Sequence, residues 1–292
     1  MGKQLYDRFG VARDVFGEAE EAAKLPLKRL CFSGPEADLK LTEHTQPAML
    51  TVSVAALRVI ESETSLRPFC VAGHSLGEYS ALVSVGGLGF ADAVRVVRER
   101  GRLMQEAVPD GEGMMAVFMG LEPQAVQAIC EEAGEKGIVS PANFNGGGQI
   151  VIAGSRPAVL QAMALAKERG IRRVLELPVS APFHCSLMAP ASDGLRTALA
   201  EVTIRPFSIG VITNVEATVN LDWRRVKGLL VEQAVRPVQW EASIKQLERL
   251  GCDRVLEIGP GKVLSGLIRR ISPGISLQNI EVPEDLEKVL NN

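Results

Sequence analysis

The chain has 292 residues, enough for one large α/β domain or two domains of ordinary size. Hydrophobic residues make up 46% and charged residues 23%, as in globular proteins. The net charge of -3, without any run of Lys or Arg, argues against a nucleic-acid partner.

The sequence pattern also argues against membrane and secreted classes. The longest nearly uncharged stretch, 79–91, is shorter than a membrane span and contains several glycines and serines. Residues 1–8 are charged and lack the apolar core of a secretory signal. The cysteines are widely spaced and include no Cys-x-x-Cys pair, which argues against a disulfide framework and a zinc site. We therefore expect a cytoplasmic protein with reduced cysteines and no membrane partner.

The first part of the chain predicts helices around one strand. Apolar residues at helical spacing predict an amphipathic helix over 5–23. Thr45-Gln46-Pro47 is typical of a helix N-cap with proline in the first turn, so a helix is predicted from there to about Ser62. The apolar run 68–72 predicts a strand, and further helices are predicted at 78–82 and 91–107.

Residues 113–178 change to a compact pattern of short alternating elements. Their β-α-β-β-α-β order is typical of a ferredoxin-like unit. The predicted elements are strand 114–119, helix 123–133, strand 138–142, strand 149–153, helix 156–168 and strand 172–177. We interpret this segment as a small subdomain inserted into a larger domain made of residues 1–112 and 179–292.

Strand and helix alternation on a larger scale resumes after residue 178. Strands are predicted at 208–213 and 254–258, and helices at 221–235, 241–250 and 262–271. The predicted fold class is therefore α/β, with a large hydrolase-like domain built on a parallel sheet and an inserted ferredoxin-like subdomain.

The pentapeptide Gly73-His74-Ser75-Leu76-Gly77 carries the strongest chemical signal. A Gly-x-Ser-x-Gly between a strand and a helix is the context of a nucleophile elbow, where glycines permit a turn sharp enough to expose the serine hydroxyl. Backbone N–H groups at the helix N-terminus stabilise developing negative charge, which favours acyl-transfer chemistry. The alternative interpretation is a strand-to-helix turn in which Ser75 only caps the helix.

A serine nucleophile needs a base within hydrogen-bond reach, and the chain has three histidines. His74 neighbours Ser75 on a turn where adjacent side chains diverge, which favours a structural role beneath the turn. His44 lies in a polar stretch before a helix, where a solvated or loop-fixing histidine is expected. His184 follows the last strand of the predicted subdomain, and a loop at such a junction can lean over a cleft. From spacing alone, a base and a structural histidine are equally good interpretations of His184.

Four motifs occur along the chain in a fixed order. They are Gly73-His74-Ser75-Leu76-Gly77-Glu78-Tyr79-Ser80-Ala81-Leu82, Arg100-Gly101-x-x-Met104-Gln105, Ser180-Ala181-Pro182-Phe183-His184-Cys185-Ser186-Leu187-Met188 and Glu257-Ile258-Gly259-Pro260-Gly261. Together they resemble the malonyl-CoA:acyl carrier protein transacylases, the stand-alone bacterial malonyltransferases of fatty acid synthesis. The resemblance implies that Ser75 is acylated and that His184 is the general base.

The same resemblance implies which residues bind the substrate. Arg100 matches the position that holds the malonyl carboxylate, and a guanidinium meets a carboxylate through two charge-assisted hydrogen bonds. Without the resemblance, the sequence predicts that Arg100 is a solvated residue beside Arg98 and Arg102. The other residues implied to lie at the substrate cleft are Gln46, Asn143, Asn145, Met104 and Phe183.

Three further roles follow from the resemblance. The main-chain carbonyl of Gln233 orients His184, so no acidic partner is expected for that histidine. The backbone N–H of Leu76 is one donor of the oxyanion hole. Phe183 limits the room for an α-methyl branch, and discrimination by one methyl group is worth about 1–3 kcal/mol.

The implied reaction is a ping-pong exchange through a malonyl-Ser75 ester, with malonyl-CoA as donor and acyl carrier protein as acceptor. No bound cofactor or metal is expected. Because carrier proteins are acidic, we expect a basic surface near the cleft, and the Arg residues of 95–102 are the candidates.

The chain departs from the family pattern at its beginning. Family members start with a strand followed by a Gly-Gln-Gly-Ser-Gln loop that supplies the second oxyanion donor, and this pentapeptide does not occur here. Losing one such donor costs about 100- to 1,000-fold in turnover. We therefore expect either that the coding sequence starts further upstream or that the encoded protein is impaired.

Two other functions compete with the transferase hypothesis. A thioesterase or other hydrolase could use the same serine and histidine, although Arg100 and the lack of a candidate Asp partner favour transfer. A catalytically weak remnant that only binds carrier protein is the second alternative, suggested by the missing N-terminal segment.

Overall fold

The computed structural model describes residues 1–179 and 181–290, except for the side chain of Leu290. Ser180 of the third motif, and residues 291–292 of the predicted large domain, lie outside the described residues. Within that part of the chain, apolar runs form strands and amphipathic segments form helices, which confirms the α/β prediction.

Helices make up most of the larger part of the molecule. The α-helices are α1 Lys3–Arg8, α2 Gly10–Ala23, α3 Leu27–Ser33, α4 Glu36–Lys40, α5 Thr42–Glu63, α6 Gly77–Ser84, α7 Phe90–Glu106, α8 Pro123–Ala133, α9 Arg156–Glu168, α10 Ala189–Ala200, α11 Val226–Gln233, α12 Trp240–Arg249, α13 Val263–Ile271 and α14 Pro283–Leu290. Short 3-10 turns lie at Gly134–Lys136, Ser186–Met188 and Trp223–Arg225.

Three predicted helix boundaries are wrong. The helix predicted over 221–235 begins only at Val226, after a 3-10 turn capped by Asp222, and it ends at Gln233. The helix predicted over 5–23 is divided at Phe9, whose backbone is extended with φ -116 and ψ 130. The helix predicted to begin at Thr45 begins at Thr42, capped by Leu41. Thr45 is not a cap, because its hydroxyl faces the carbonyl oxygens of Leu39 at 2.5 Å and Leu41 at 3.1 Å instead of a backbone N–H of the first turn. Pro47 consequently lies within helix α5.

The sheet of the larger part consists of two pieces. Strand β1, Cys70–Ala72, is parallel to β6, Gly210–Ile212, and β6 is antiparallel to the short β7, Val219–Asn220. Strand β8, Arg254–Ile258, is parallel to β9, Ser276–Ile280. Side chains from both pieces pack into one hydrophobic cluster, so the two pieces cover a common core. The predicted parallel pairing is present, with β7 as an antiparallel addition.

A separate four-stranded antiparallel sheet lies within residues 113–178. Its strands are β2 Gly113–Met119, β3 Val139–Gly146, β4 Gln149–Ser155 and β5 Val174–Glu176, in the order β3-β4-β2-β5. Helices α8 and α9 cover one face, which holds Met114, Ala116 and Phe118 of β2. This order and coverage are those of a ferredoxin-like βαββαβ unit, as the sequence predicts.

The other face of that sheet contacts the loop that carries His184. Because side chains alternate along a strand, Met115 and Val117 point away from α8 and α9, and they pack with Cys185 in a small apolar cluster. Phe183 lies at the edge of the same cluster. The antiparallel sheet thus supports the loop residues on both sides of His184.

Candidate active site

The elbow segment connects strand β1 to helix α6 by a turn that only glycine can begin. A Cβ on Gly73 would lie 2.0 Å from the carbonyl carbon of Gly77, so a larger residue cannot fit. Ser75 has a positive φ of 50, a conformation that costs about 1–3 kcal/mol in a residue with a side chain. This turn brings the serine hydroxyl to the N-terminal end of α6, in the geometry of a nucleophile elbow.

His184 lies directly opposite the serine. The Ser75 Oγ is 2.8 Å from His184 Nε2, and His184 Nδ1 is 2.8 Å from the carbonyl oxygen of Gln233. A carbonyl only accepts, so Nδ1 carries the proton and Nε2 is free to accept from the serine hydroxyl. Burial, and then the charge of Arg100, lower the pKa of His184 to about 3, so the imidazole is neutral at pH 7.

Arg100 meets the same hydroxyl from helix α7. Arg100 is 2% exposed. Its Nη2 donates to Ser75 Oγ and to Gln233 Oε1, both at 3.0 Å, and its Nη1 donates to Gln46 Oε1 at 2.7 Å. Burial lowers the pKa of Arg100 from its usual value. The three acceptors are neutral, so this buried cation has no carboxylate in direct contact within the described residues. It is therefore suited to bind the carboxylate of a ligand.

Close packing of α5 against α7 places Gln46 beside Arg100. A Cβ on Gly101 would lie 2.5 Å from the carbonyl oxygen of Thr42, so glycine allows the two helices to approach. Met104, one turn further along α7, is buried, and its sulfur lies 3.9 Å from Gln46 Nε2. The predicted residues Gln46, Arg100 and Met104 therefore form one contiguous side of the site.

The remaining predicted residues lie at different distances from the nucleophile. Phe183 is half-buried beside His184 and packs against the hydrophobic core. The Asn145 Oδ1 atom accepts a hydrogen bond from His74 Nε2 at 2.9 Å. His74 in turn packs against Trp240, and burial lowers its pKa. His74 therefore has the structural position that the sequence favoured, and Asn145 belongs to its surroundings.

Of the two backbone N–H groups at Ser75 and Leu76, one is already occupied by a hydrogen bond within the protein. The Ser75 N–H donates to Asn214 Oδ1 at 2.6 Å. The Leu76 N–H has no acceptor in the described part of the chain, so it is available to an oxyanion. Asn214 also donates from Nδ2 to the Gly73 carbonyl at 2.6 Å, so a single side chain fixes both arms of the elbow.

Sequence reasoning missed Glu78 and Asn214. Asn214 follows strand β6, which is paired to β1, so both Ser75 and Asn214 follow the carboxyl ends of adjacent parallel strands. Polar residues at such an edge are candidates for a binding site in open α/β sheets, and this rule could have identified Asn214. Glu78 is 3% exposed, and burial raises its pKa to about 7 against the opposing effects of Gln233, Asn214 and Arg100.

The described residues contain neither a cluster of metal ligands nor a helix that could span a membrane. Across 1–179 and 181–290, no three His, Cys, Asp or Glu side chains are grouped so as to hold a metal ion. None of the helices in these residues combines the length and apolar character needed to cross a bilayer.

Two arginines of the surface predicted to be basic have carboxylate partners on their own helix. Arg95 forms an ion pair with Asp92, and Arg102 pairs with both Glu99 and Glu106. These pairs form because residues three and four apart on a helix are neighbours. Arg98 donates instead to the Ala23 carbonyl. A basic surface over 95–102 therefore stays a prediction.

Comparison with known proteins identifies close relatives. A family model described as the acyl transferase domain matches residues 1–274. The malonyl CoA-acyl carrier protein transacylase of Escherichia coli (strain K12) is 43% identical over 282 residues, covering 97% of this chain and 91% of that protein.

Solved structures show the same relationship. The acyl-carrier-protein S-malonyltransferase from Burkholderia pseudomallei 1710b aligns with a TM-score of 0.96 at 42% identity, covering 100% of this chain and 95% of that chain. A malonyl-transacylase in complex with its type II PKS acyl-carrier protein aligns with a TM-score of 0.97 at 41% identity, covering 100% of this chain and 95% of that chain. This chain therefore belongs to the acyl transferase family, among the malonyl CoA-acyl carrier protein transacylases.

Proposed function

We propose that this chain transfers a malonyl group from malonyl-CoA to the phosphopantetheine thiol of acyl carrier protein, through an ester on Ser75, and thereby supplies fatty acid synthesis. One observation carries the proposal: the Ser75 hydroxyl is 2.8 Å from His184 Nε2 and 3.0 Å from Arg100 Nη2. The same oxygen is thus next to a neutral base and next to a buried cation. A nucleophile beside a carboxylate-binding guanidinium suits an acyl donor that carries a carboxylate.

In the first half-reaction, His184 Nε2 takes the proton of Ser75 Oγ as this oxygen bonds to the thioester carbon. The negative charge on the carbonyl oxygen is stabilised by the Leu76 N–H. When the carbon–sulfur bond breaks, the imidazolium of His184 returns its proton to the sulfur. Coenzyme A leaves as the thiol, and the malonyl group remains as an ester of Ser75.

The second half-reaction runs the same steps with a different thiol. The phosphopantetheine sulfur loses its proton to His184 and bonds to the ester carbon. Ser75 leaves and recovers the proton from His184. Because coenzyme A departs before the carrier protein reacts, the kinetics are ping-pong.

Substrate selection follows from the groups around the acyl chain. Arg100 binds the malonyl carboxylate; Gln46 accepts from its guanidinium, and the sulfur of Met104 contacts the Gln46 amide. Phe183 limits the space for an α-methyl branch, a preference worth about 1–3 kcal/mol. Asn145 acts through His74 rather than on the substrate, since its amide contacts that ring.

Partners and location complete the proposal. Acyl carrier protein and coenzyme A thioesters are the partners, supported by the names of the relatives and by the related complex with a carrier protein. No bound cofactor takes part in these steps. A cytoplasmic location is supported by the free thiols of all five cysteines, since disulfides are rare in reducing compartments.

The test is intact-mass analysis after brief incubation with malonyl-CoA. We expect a mass increase of one malonyl group on the wild-type protein, none on Ser75→Ala, and transfer of the group to added carrier protein. Free malonate without malonyl carrier protein supports a hydrolase instead. No adduct on the wild-type protein contradicts the proposal and supports a remnant that only binds the carrier.

A further inference from the structure

Glu78 is a buried carboxylate in the first turn of helix α6, directly beside the nucleophile. Its side chain is 3% exposed. The Oε2 atom accepts from Gln233 Nε2 at 2.7 Å and from the backbone N–H of Asn214 at 3.1 Å. Both donors belong to residues that also contact the catalytic pair, Gln233 at His184 and Asn214 at Ser75. Glu78 is therefore one residue removed from the base and the nucleophile.

Gln233 connects Glu78 to the base. The main-chain oxygen of Gln233 accepts from His184 Nδ1, while its side-chain Oε1 accepts from Arg100 Nη2. Its Nε2 also donates to the Ser75 carbonyl at 3.1 Å. One residue therefore contacts the base, the cation and the backbone of the nucleophile, and Glu78 is the acidic group that anchors it.

The orientation of the Gln233 amide depends on Glu78. Arg100 has only donors, so it requires the amide oxygen on its side. The amide nitrogen then faces Glu78, whose Oε2 must act as an acceptor. Removing that acceptor leaves a buried N–H without a partner, which costs about 1–3 kcal/mol and favours a different position of Gln233.

One cation and several other titratable groups lie near Glu78. Arg100 on α7 is the cation that acts on it, Tyr79 is its neighbour on α6, and His184 and His74 lie around the elbow. With a pKa of about 7, the Glu78 carboxyl changes its charge near neutral pH. His184, with a pKa of about 3, does not titrate in that range.

We propose that Glu78 is a positioning residue that acts through Gln233: its carboxylate holds the carbonyl that orients His184 and stabilises the imidazolium formed when Ser75 loses its proton. This inference rests on the proposed function. The role is similar to that of the aspartate in a Ser-His-Asp triad, which orients the histidine and stabilises its charged form. Here the carboxylate is separated from the histidine by one glutamine.

Two substitutions separate the hydrogen bonds from the charge. Glu78→Gln keeps an oxygen that can accept from Gln233 and Asn214 but removes the charge, whereas Glu78→Ala removes both. The readout is the rate constant of malonyl-Ser75 formation, measured by quenched flow and intact mass at saturating malonyl-CoA. We expect a decrease of about 100-fold for Glu78→Ala and about tenfold for Glu78→Gln, since small displacements of reacting groups have effects of this size.

The pH profile distinguishes this role from general structural support. The wild-type rate constant is expected to rise through about pH 7 as Glu78 ionises, because the carboxylate then stabilises the imidazolium of the transition state. The Glu78→Gln profile is expected to be flat there.

Asp285→Asn and Asp285→Ala are the matched controls. The Asp285 carboxylate is also buried, and it accepts from the backbone N–H groups of Glu281 and Val282 at the start of α14. We expect both variants to keep the wild-type rate constant and pH profile, which assigns the effects at position 78 to the site.

The inference is overturned if the wild type forms the adduct and folded Glu78→Ala forms it within about twofold of the same rate. It is equally overturned if Glu78→Gln keeps the wild-type pH profile. If Glu78→Ala does not fold, Glu78→Gln decides the matter through its rate and profile. Failure of the wild type itself to form the adduct contradicts the proposed function instead.

Discussion

Ser75 and His184 both have positive φ values, 50 and 62, although neither is glycine. Each such conformation costs about 1–3 kcal/mol and persists only where neighbouring groups hold it. At Ser75 the neighbouring group is Asn214, which bonds the Ser75 N–H and the Gly73 carbonyl with one side chain. The position of the nucleophile is therefore determined by a residue that follows strand β6 and not by the elbow alone.

Asn214→Ala is expected to lower the rate of malonyl-Ser75 formation by about tenfold or more, because the elbow loses both bonds and the hydroxyl moves relative to His184. Quenched flow followed by intact-mass analysis measures this rate. Asn220→Ala is the matched control, since Asn220 is also buried and bonds the backbone of Asp222 with both ends of its amide. Equal rates in the two variants contradict the role of Asn214.

Arg100→Ala is expected to change which acyl group reacts. Removing one partner of a buried, hydrogen-bonded charge pair costs about 2–5 kcal/mol, so acylation by malonyl-CoA should fall about 30- to 4,000-fold. Acetyl-CoA lacks the carboxylate and should lose much less. Adduct rates with both donors give the ratio, and Arg98→Ala on the same helix is the control, because Arg98 donates to the Ala23 carbonyl instead. An unchanged donor ratio excludes Arg100 as the malonyl-binding group.

At the residue scale, the motifs predicted the positions that meet at the site, and the resemblance gave Gln233 as the residue that orients His184, but Glu78 and Asn214 were missed. Ser75 and His184 could be selected because their chemistry and local pattern are specific. Glu78 has no distinctive pattern in an ordinary helix, and its partners Asn214 and Gln233 are 136 and 155 residues away. Such contacts depend on tertiary packing, which one sequence does not reveal.

At the scale of elements, the packing of α5 on α7 determines the position of the cation. Gly101→Ala places a methyl group about 2.5 Å from the Thr42 carbonyl oxygen, so the helices must separate. Overpacking of this kind costs about 1–3 kcal/mol in unfolding free energy. Because Arg100 precedes Gly101, we also expect slower malonyl-Ser75 formation.

The control is Gly228→Ala in helix α11, where a Cβ meets nothing within 4 Å. That substitution should leave acylation unchanged and stabilise the protein by about 0.4–1 kcal/mol, since alanine loses less backbone entropy than glycine. Urea unfolding and adduct rates measure both variants. If Gly101→Ala and Gly228→Ala change the free energy of unfolding by the same amount and in the same direction, α5 and α7 do not approach as closely as described.

Helices and strands with a clear apolar period were predictable from the sequence. Helix ends that depend on capping residues were not. Helix α9, Arg156–Glu168, has the predicted bounds, because its apolar period is strong and proline occupies its first turn. The start of α5 was misplaced because Pro47 suggested a first turn, while Leu41 and Thr42 actually begin the helix. Strand β9 was not predicted, since its short segment 276–280 carries no alternating pattern strong enough to assign.

At the scale of the whole molecule, the division into 1–112 with 179–292 and 113–178 stays a prediction. It is supported by a separate hydrophobic cluster beneath α8 and α9. The His184 loop packs on the opposite face of the same sheet through Cys185. Movement of the antiparallel sheet relative to the elbow would therefore change the distance between His184 and Ser75.

Buried ionisable groups at the site make the stability of the whole molecule depend on pH. The pKa of Glu78 is raised from 4.5 to about 7, so the folded state holds a proton that the unfolded state releases as pH rises. The contribution of Glu78 is thus fully present below about pH 4.5 and is lost as pH rises through about 7. His184 acts in the opposite direction, because its pKa is lowered from 6.5 to about 3 and stability falls as pH falls through that window.

Comparison of wild type with Glu78→Gln isolates the first of these effects. Between about pH 4.5 and 7 the wild type should lose about 3 kcal/mol of unfolding free energy relative to the variant, which has no titrating group at this position. Urea unfolding at pH 5 and pH 8 measures most of the change. Asp285→Asn should show no comparable change over that range, because the pKa of Asp285 is lowered and its carboxylate is ionised at both pH values. A difference between wild type and Glu78→Gln that is equal at the two pH values means that Glu78 ionises in the folded protein as it does in the unfolded chain.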